Sequence, residues 1–195
     1  MTNAKEKTFE ITGMGILTAI VIVLQALGSF IKLGPFSVAL AFVPIAIGAA
    51  LYGWKAGAWL GFVFSAVVLI TDSAAFMAIS AVGTVITVIA KGTFAGIAAA
   101  GVYRLLEKKN QWLAAVASAF ACQLVNKALF IIGCAVFFLP TITEWASGSG
   151  YNSTLLYLLI GLGGLNFLIE WPIIIILSTV VVRVLGAVKK HMRRA

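Results

Sequence analysis

Apolar residues dominate this chain in long runs, and polar residues interrupt them at only a few places. The runs cover residues 13–30, 38–51, 56–70, 78–103, 112–139 and 154–185. Within them the apolar positions are continuous rather than alternating, which predicts helices and not barrel strands. The interruptions are turn-like. Gly34 and Pro35 follow the first run, and Tyr52 to Lys55 form a tight turn after the second. Thr71, Asp72 and Ser73 break the third, with Asp72 readable as a helix N-cap or as a gate residue. A charged loop covers 107–111, and a polar loop containing Gly148, Ser149 and Gly150 covers 140–153. The pattern predicts an all-α, polytopic membrane protein, a bundle of six transmembrane helices in a single domain over residues 1–195. The second and third runs, 38–51 and 56–70, fall short of the roughly 20 residues of a usual span, so a re-entrant pair and four crossings are the alternative.

Composition strengthens the membrane reading. The chain has 195 residues, 62% hydrophobic and 10% charged, where a soluble domain sits near 45–50% and about 25%. Mean hydropathy is +1.10. A water-exposed surface could not hide that much apolar area. The net charge of +8 changes meaning once the charges are located. Lys5 and Lys7 precede the first run, Arg104, Lys108 and Lys109 flank the mid-chain loop, and Arg183, Lys189, Lys190, Arg193 and Arg194 close the chain. This is the positive-inside pattern, not a nucleic-acid surface, and it puts both termini in the cytoplasm with an even number of crossings. With six crossings, Lys32 alone falls in an outer loop, and Lys91 and Lys127 fall inside spans. No cleavable signal peptide is evident. Cys122 and Cys134, if on one helix, stand about 18 Å apart, too far for a bridge.

Candidate chemistry lies in the side chains that do not belong in lipid. An ionisable residue inside a span is costly unless paired or wetted, which makes it a site hypothesis. Lys91, Lys127 and Glu170 are such residues. Ser80, Thr84, Thr87 and Lys91 are spaced by 4, 3 and 4 and form one helix face. Gln123, Asn126 and Lys127 form a second face, and Asn166 with Glu170 a third, just before a bend expected at Pro172. Measured from the outer ends of their spans, Lys91, Lys127 and Asn166 lie roughly 17–20 Å deep, with Glu170 about one turn deeper. Two readings fit. One is a buried ion pair fixing helix register. The other, preferred here, is a ligand pocket with a local charge of +1, suited to a carboxylate-bearing ligand. Trp145 and Tyr151, in the loop before the last span, could close over it, or could belong with Trp54, Trp59 and Trp112 to an interfacial aromatic belt.

The first span carries the small pair Gly15 and Ala19, which lets another helix approach closely. Gln25 points about 120° away from Ala19, so it can face the bundle while the small pair faces out. In this pair, the six runs, the basic ends and the glycine-rich segment 48–61, the chain resembles the substrate-binding S components of energy-coupling factor (ECF) transporters, bacterial micronutrient importers. The resemblance implies capture of a vitamin or similar water-soluble solute from outside. It implies docking through Gly15 and Ala19 on a transmembrane coupling protein driven by two cytoplasmic ATPases. It also implies a site in the outer halves of the last three spans and the outer loops, carried by Lys91, Asn126, Lys127, Asn166, Trp145 and Tyr151, with Glu170 too deep for direct contact on that pattern. Thr87 and Gln123 are candidates from their helix faces alone. The small pair is Gly-xxx-Ala here, where the family has Ala-xxx-Ala.

The residues agree with that division of labour. No phosphate-binding G-x-x-x-x-G-K-[ST] loop occurs, so energy for import must come from a partner or an ion gradient. A self-sufficient secondary transporter or channel is the competing function, although inverted repeats are not evident. An enzyme is not expected. The single histidine, His191, sits in the basic tail, and no residue cluster suggests a metal or a cofactor.

Overall fold

The computed structural model describes residues 3–30, 32–33, 36–37, 40–162, 171–172, 176, 183 and 186. Helix α1 (Asn3–Phe30) leads into two short antiparallel strands, β1 (Lys32–Leu33) and β2 (Phe36–Ser37), with Leu33 opposite Phe36. Then come α2 (Phe42–Tyr52), α3 (Trp54–Thr71), α4 (Ala74–Ile79), α5 (Ala81–Leu106), α6 (Gln111–Phe137), α7 (Leu139–Gly148) and α8 (Thr154–Leu156). A π-helical segment, Tyr157–Leu162, follows α8. The turn expected at Gly34 and Pro35 and most of the run 154–185, including Asn166 and Glu170, lie outside the described residues.

Among the described residues, four helices are long and apolar enough to cross a membrane: Lys7–Phe30, Trp54–Thr71, Ala81–Leu106 and Gln111–Phe137. Helix α2 is equally apolar but has only 11 residues, about 16 Å against a hydrocarbon core near 30 Å. Large apolar side chains such as Ile11, Ile16, Phe30, Ile70 and Val82 are more than half exposed. A soluble monomer rarely tolerates so much apolar exposure, and lipid removes the cost.

Glycine sets the close approach of α3 and α5. On α3, Gly57 and Gly61 face Gly96 and Gly92 of α5, and a Cβ at any of the four would collide with the facing helix, three of them with a backbone carbonyl alone. Each step of four up α3 matches a step of four back along α5, so the pair is antiparallel. Small residues at this spacing let two backbones touch, and packing replaces the hydrophobic effect as the source of helix association in lipid. Ser65 extends the seam by donating to the carbonyls of Gly61 (3.0 Å) and Val88 (2.7 Å). The α5–α6 pair uses a similar contact: Ser118 donates to the carbonyl of Ala99 at 2.8 Å, and Gly133 leaves room for Thr87.

The turn between α2 and α3 is a single residue, Gly53, at φ 84°, where side chains are disfavoured. The Arg104 guanidinium lies against it, and the Tyr52 hydroxyl lies against Gly13. The start of α1, this turn and the end of α5 therefore share one end of the bundle, the end that carries Lys7, Lys55, Arg104, Lys108 and Lys109. One buried cluster, with Leu17, Phe42, Leu60, Phe64 and Tyr103, fills the middle of the bundle. A second, with Cys134, Phe138, Ile142, Leu158 and Leu162, fills the opposite end.

Three sequence expectations need correction. The run 78–103 is not one helix: Ser80 is extended (φ −153°, ψ 102°), ends α4 and caps α5 by accepting from the Gly83 amide. The apolar residues on both sides concealed a cap that serine is well suited to make. The polar loop of 140–153 is helical over most of its length, because Pro140 stands at the start of α7, where its missing N–H costs nothing. Asp72 is not an N-cap. It ends α3, with its amide bonded to the Val68 carbonyl, and its carboxylate faces elsewhere.

Candidate ligand site

Helix register decides which polar residues can meet. The contacts Ser118 to Ala99 and Gly133 to Thr87 fix α5 against α6, and that register puts Lys91 and Lys127 at the same level. Both line one cavity. Its walls include Gln25 of α1, Phe42 of α2, and Phe64, Val68 and Asp72 of α3. Helix α5 adds Thr84, Thr87, Val88 and Lys91, and α6 adds Asn126, Lys127 and Phe130. Ser73, Phe76, Phe138 and Leu162 complete the described wall. The cavity measures about 80 Å³, several times the roughly 10–15 Å³ that one water needs by the same measure. It lies in the half of the bundle away from the basic end: Thr84 and Arg104 are 20 residues apart on α5, about 30 Å.

Half of the sixteen described wall residues are polar or charged, and five are phenylalanine. Phe76 is an aromatic hub, with ring centroids 5.7 Å from Phe130, 5.2 Å from Phe138 and 5.6 Å from Trp145, all edge-on. Phe42 and Phe64 pack at 5.4 Å on the other side. The Lys91 ammonium stands 4.8 Å from the Phe130 ring centre, a cation–π contact that holds the charge in an apolar wall. The described ionisable groups of the wall are Lys91, Lys127 and Asp72, so the local balance is +1.

The hydroxyls and amides show which groups await a partner. Thr84 folds back to donate to the Ser80 carbonyl at 2.7 Å, and Ser73 donates to the Val68 carbonyl at 3.0 Å. Thr87 and Asn126 do not: the Thr87 hydroxyl and the Asn126 amide nitrogen are buried with no hydrogen-bond partner among the described residues. Their residues are 6% and 5% exposed, so bulk water does not serve them. An unmet buried polar atom costs roughly 1–3 kcal/mol, and a bound solute or ordered water removes that cost.

Of the residues singled out from sequence, Thr87, Lys91, Asn126 and Lys127 come together on this wall. Gln123 is fully buried about one turn away on α6 and is not part of the wall. Trp145 stands behind Phe76 and supports it. Tyr151 packs on Tyr157 at 5.2 Å and does not reach the wall. Asn166 and Glu170 lie outside the described residues; the neighbouring Trp171 packs edge-on against Phe120 at 4.7 Å, seven residues, or about 10 Å, toward the start of α6 from Lys127. Gly15 and Ala19 are exposed on α1, and a Cβ at Gly15 would meet nothing within 4 Å. Gln25, on the other side of that helix, is 1% exposed and faces the bundle.

The wall also contains residues that sequence reasoning did not place there. Asp72 accepts from Gln25 Nε2 at 3.2 Å and from Thr71 Oγ1 at 2.8 Å. Gln25 was readable as bundle-facing from its angle to Ala19, but its partner lies 47 residues away, and no local pattern links the two. Phe76 looked like one more apolar residue in a run.

A family model described as the substrate-specific component of ECF transporters matches residues 9–182. No curated protein and no solved structure gives a match.

Proposed function

The chain belongs to the substrate-specific components of ECF transporters, and we propose that it captures a small, water-soluble, carboxylate-bearing micronutrient in the cavity between α1, α3, α5 and α6. The observation that carries this reading is the meeting of Lys91, Lys127, Thr87 and Asn126 on one wall, with the Thr87 hydroxyl and the Asn126 amide nitrogen buried and without a hydrogen-bond partner among the described residues. Two lysines against one described carboxylate favour an anionic group on the ligand. The phenylalanines around them favour an apolar or flat body.

Orientation follows from charge. The basic end carrying Lys55, Arg104, Lys108 and Lys109 faces the cytoplasm of a bacterial plasma membrane, and the cavity opens outward. Helix α2 and the run 154–185 supply the fifth and sixth crossings, so that both termini are cytoplasmic. The chain then works with a transmembrane coupling protein that meets the exposed Gly15 and Ala19 face of α1, and with two cytoplasmic ATPases that drive it. Exposure of that small pair away from the bundle supports this role.

Mass spectrometry of small molecules that copurify with the protein tests the reading. A stoichiometric carboxylic acid is the expected result. A stoichiometric ligand without an anionic group would overturn it.

A further inference from the structure

The outer part of the cavity has the opposite chemistry from the inner part. Gln25 is 1% exposed and lines the wall. Its Nε2 donates to Asp72, which fixes the amide orientation, because a carboxylate only accepts. Gln25 Oε1 is left buried with no partner among the described residues. Asp72 stands beside it on the same wall, and its Oδ2 receives Gln25 and Thr71. A carboxylate has about four lone-pair sites, so it can accept more. This end of the cavity therefore offers acceptors and one negative charge.

The glycine seam measures how far that end is from the lysines. Continuing the register of Gly57 with Gly96 and Gly61 with Gly92, Asp72 on α3 is level with Ala81 on α5. Lys91 is ten residues further along α5, about 15 Å deeper. The lysine stem shortens the gap between charges, and Phe42, Phe64, Phe76 and Phe130 line the space between.

From this polarity we infer that the ligand is zwitterionic: it carries a cationic N–H donor at the end opposite its carboxylate, and this donor is received by Gln25 Oε1 and Asp72. The inference rests on the proposed role of the cavity as the solute site and adds the second recognition element. A simple anion would leave Gln25 Oε1 unmet and would place no charge opposite Asp72.

Three ring compounds test it by titration against the purified full chain in detergent: 4-(aminomethyl)benzoate, with charges at opposite ends, 4-methylbenzoate, with the anion alone, and 4-methylbenzylammonium, with the cation alone. The zwitterion is expected to bind about tenfold more tightly than 4-methylbenzoate, the worth of one charge-assisted hydrogen bond. Asp72→Asn is expected to erase that preference. If Asp72→Asn does not fold, Gln25→Leu is expected to reduce the same preference. Equal binding of the two acids, or a zwitterion preference that persists in the variant, would overturn the inference and leave the anion site standing. Failure of both acids to bind, whatever the amine does, would overturn the inference together with the reading beneath it.

Discussion

Substitution of Gly61 by alanine separates two effects that usually travel together. Alanine favours helix over glycine by about 0.8–1.0 kcal/mol, so a glycine in open space should gain from the change. Gly101 is such a position, since an added Cβ meets nothing within 4 Å. At Gly61 the same methyl would collide with the Gly92 carbonyl, a backbone atom that cannot swing aside. The helices must part or α3 must rotate, and overpacking of this kind costs typically 1–3 kcal/mol. Propensity is common to both variants, so the difference between Gly61→Ala and Gly101→Ala reads the seam alone, at about 1–3 kcal/mol. Thermal inactivation in detergent, followed by size-exclusion chromatography, should rank Gly101→Ala at or above the parent and Gly61→Ala several degrees below. Ligand retention should fall with it. Phe64, three residues along α3 from Gly61, and Lys91, adjacent to Gly92 on α5, both line the cavity. Equal stability of the two variants would refute the close approach of α3 and α5 and the register drawn from it.

Asn110 caps α6 by accepting from the amides of Trp112 (2.8 Å) and Leu113 (3.2 Å), so Asn110→Ala should lose about 1 kcal/mol of stability in the same assay. Phe76→Ala removes three edge-on ring contacts, each worth roughly 0.5–1.5 kcal/mol, and should weaken ligand binding more than Trp145→Ala, measured by equilibrium titration. Ala19→Leu places a branched side chain on the exposed face of α1; it should leave ligand binding intact and abolish copurification with the coupling protein.

The sequence made some of this legible and hid the rest for identifiable reasons. The depth match of Lys91 and Lys127 could be anticipated, because helix rise converts residue count into distance and both runs start from marked loops. The facing of Gln25 followed from helix angle. Helix interruption at Ser80 was hidden because the flanking apolar residues continue the hydrophobic pattern across the break. Helix α7 was hidden because proline, glycine and serine suggest a loop, yet Pro140 occupies a position where a helix accepts it. The N-cap reading of Asp72 failed for a different reason, and the gate alternative is untouched by it. The role of Asp72 depends on a side chain 47 residues away, and pairings of that kind arise from packing, not from local spacing. Tyr151 was drawn toward the site by its loop position, whereas its ring is engaged by Tyr157.

The central claim is that Lys91 and Lys127 receive the solute's anionic group at one level of the bundle. Equilibrium binding of the copurified solute to the parent, Lys91→Ala and Lys127→Ala tests it most directly. Loss of one charged hydrogen bond is worth roughly 1.5–3 kcal/mol, so each variant that still folds should bind at least tenfold more weakly. Unchanged affinity in both folded variants would contradict the account.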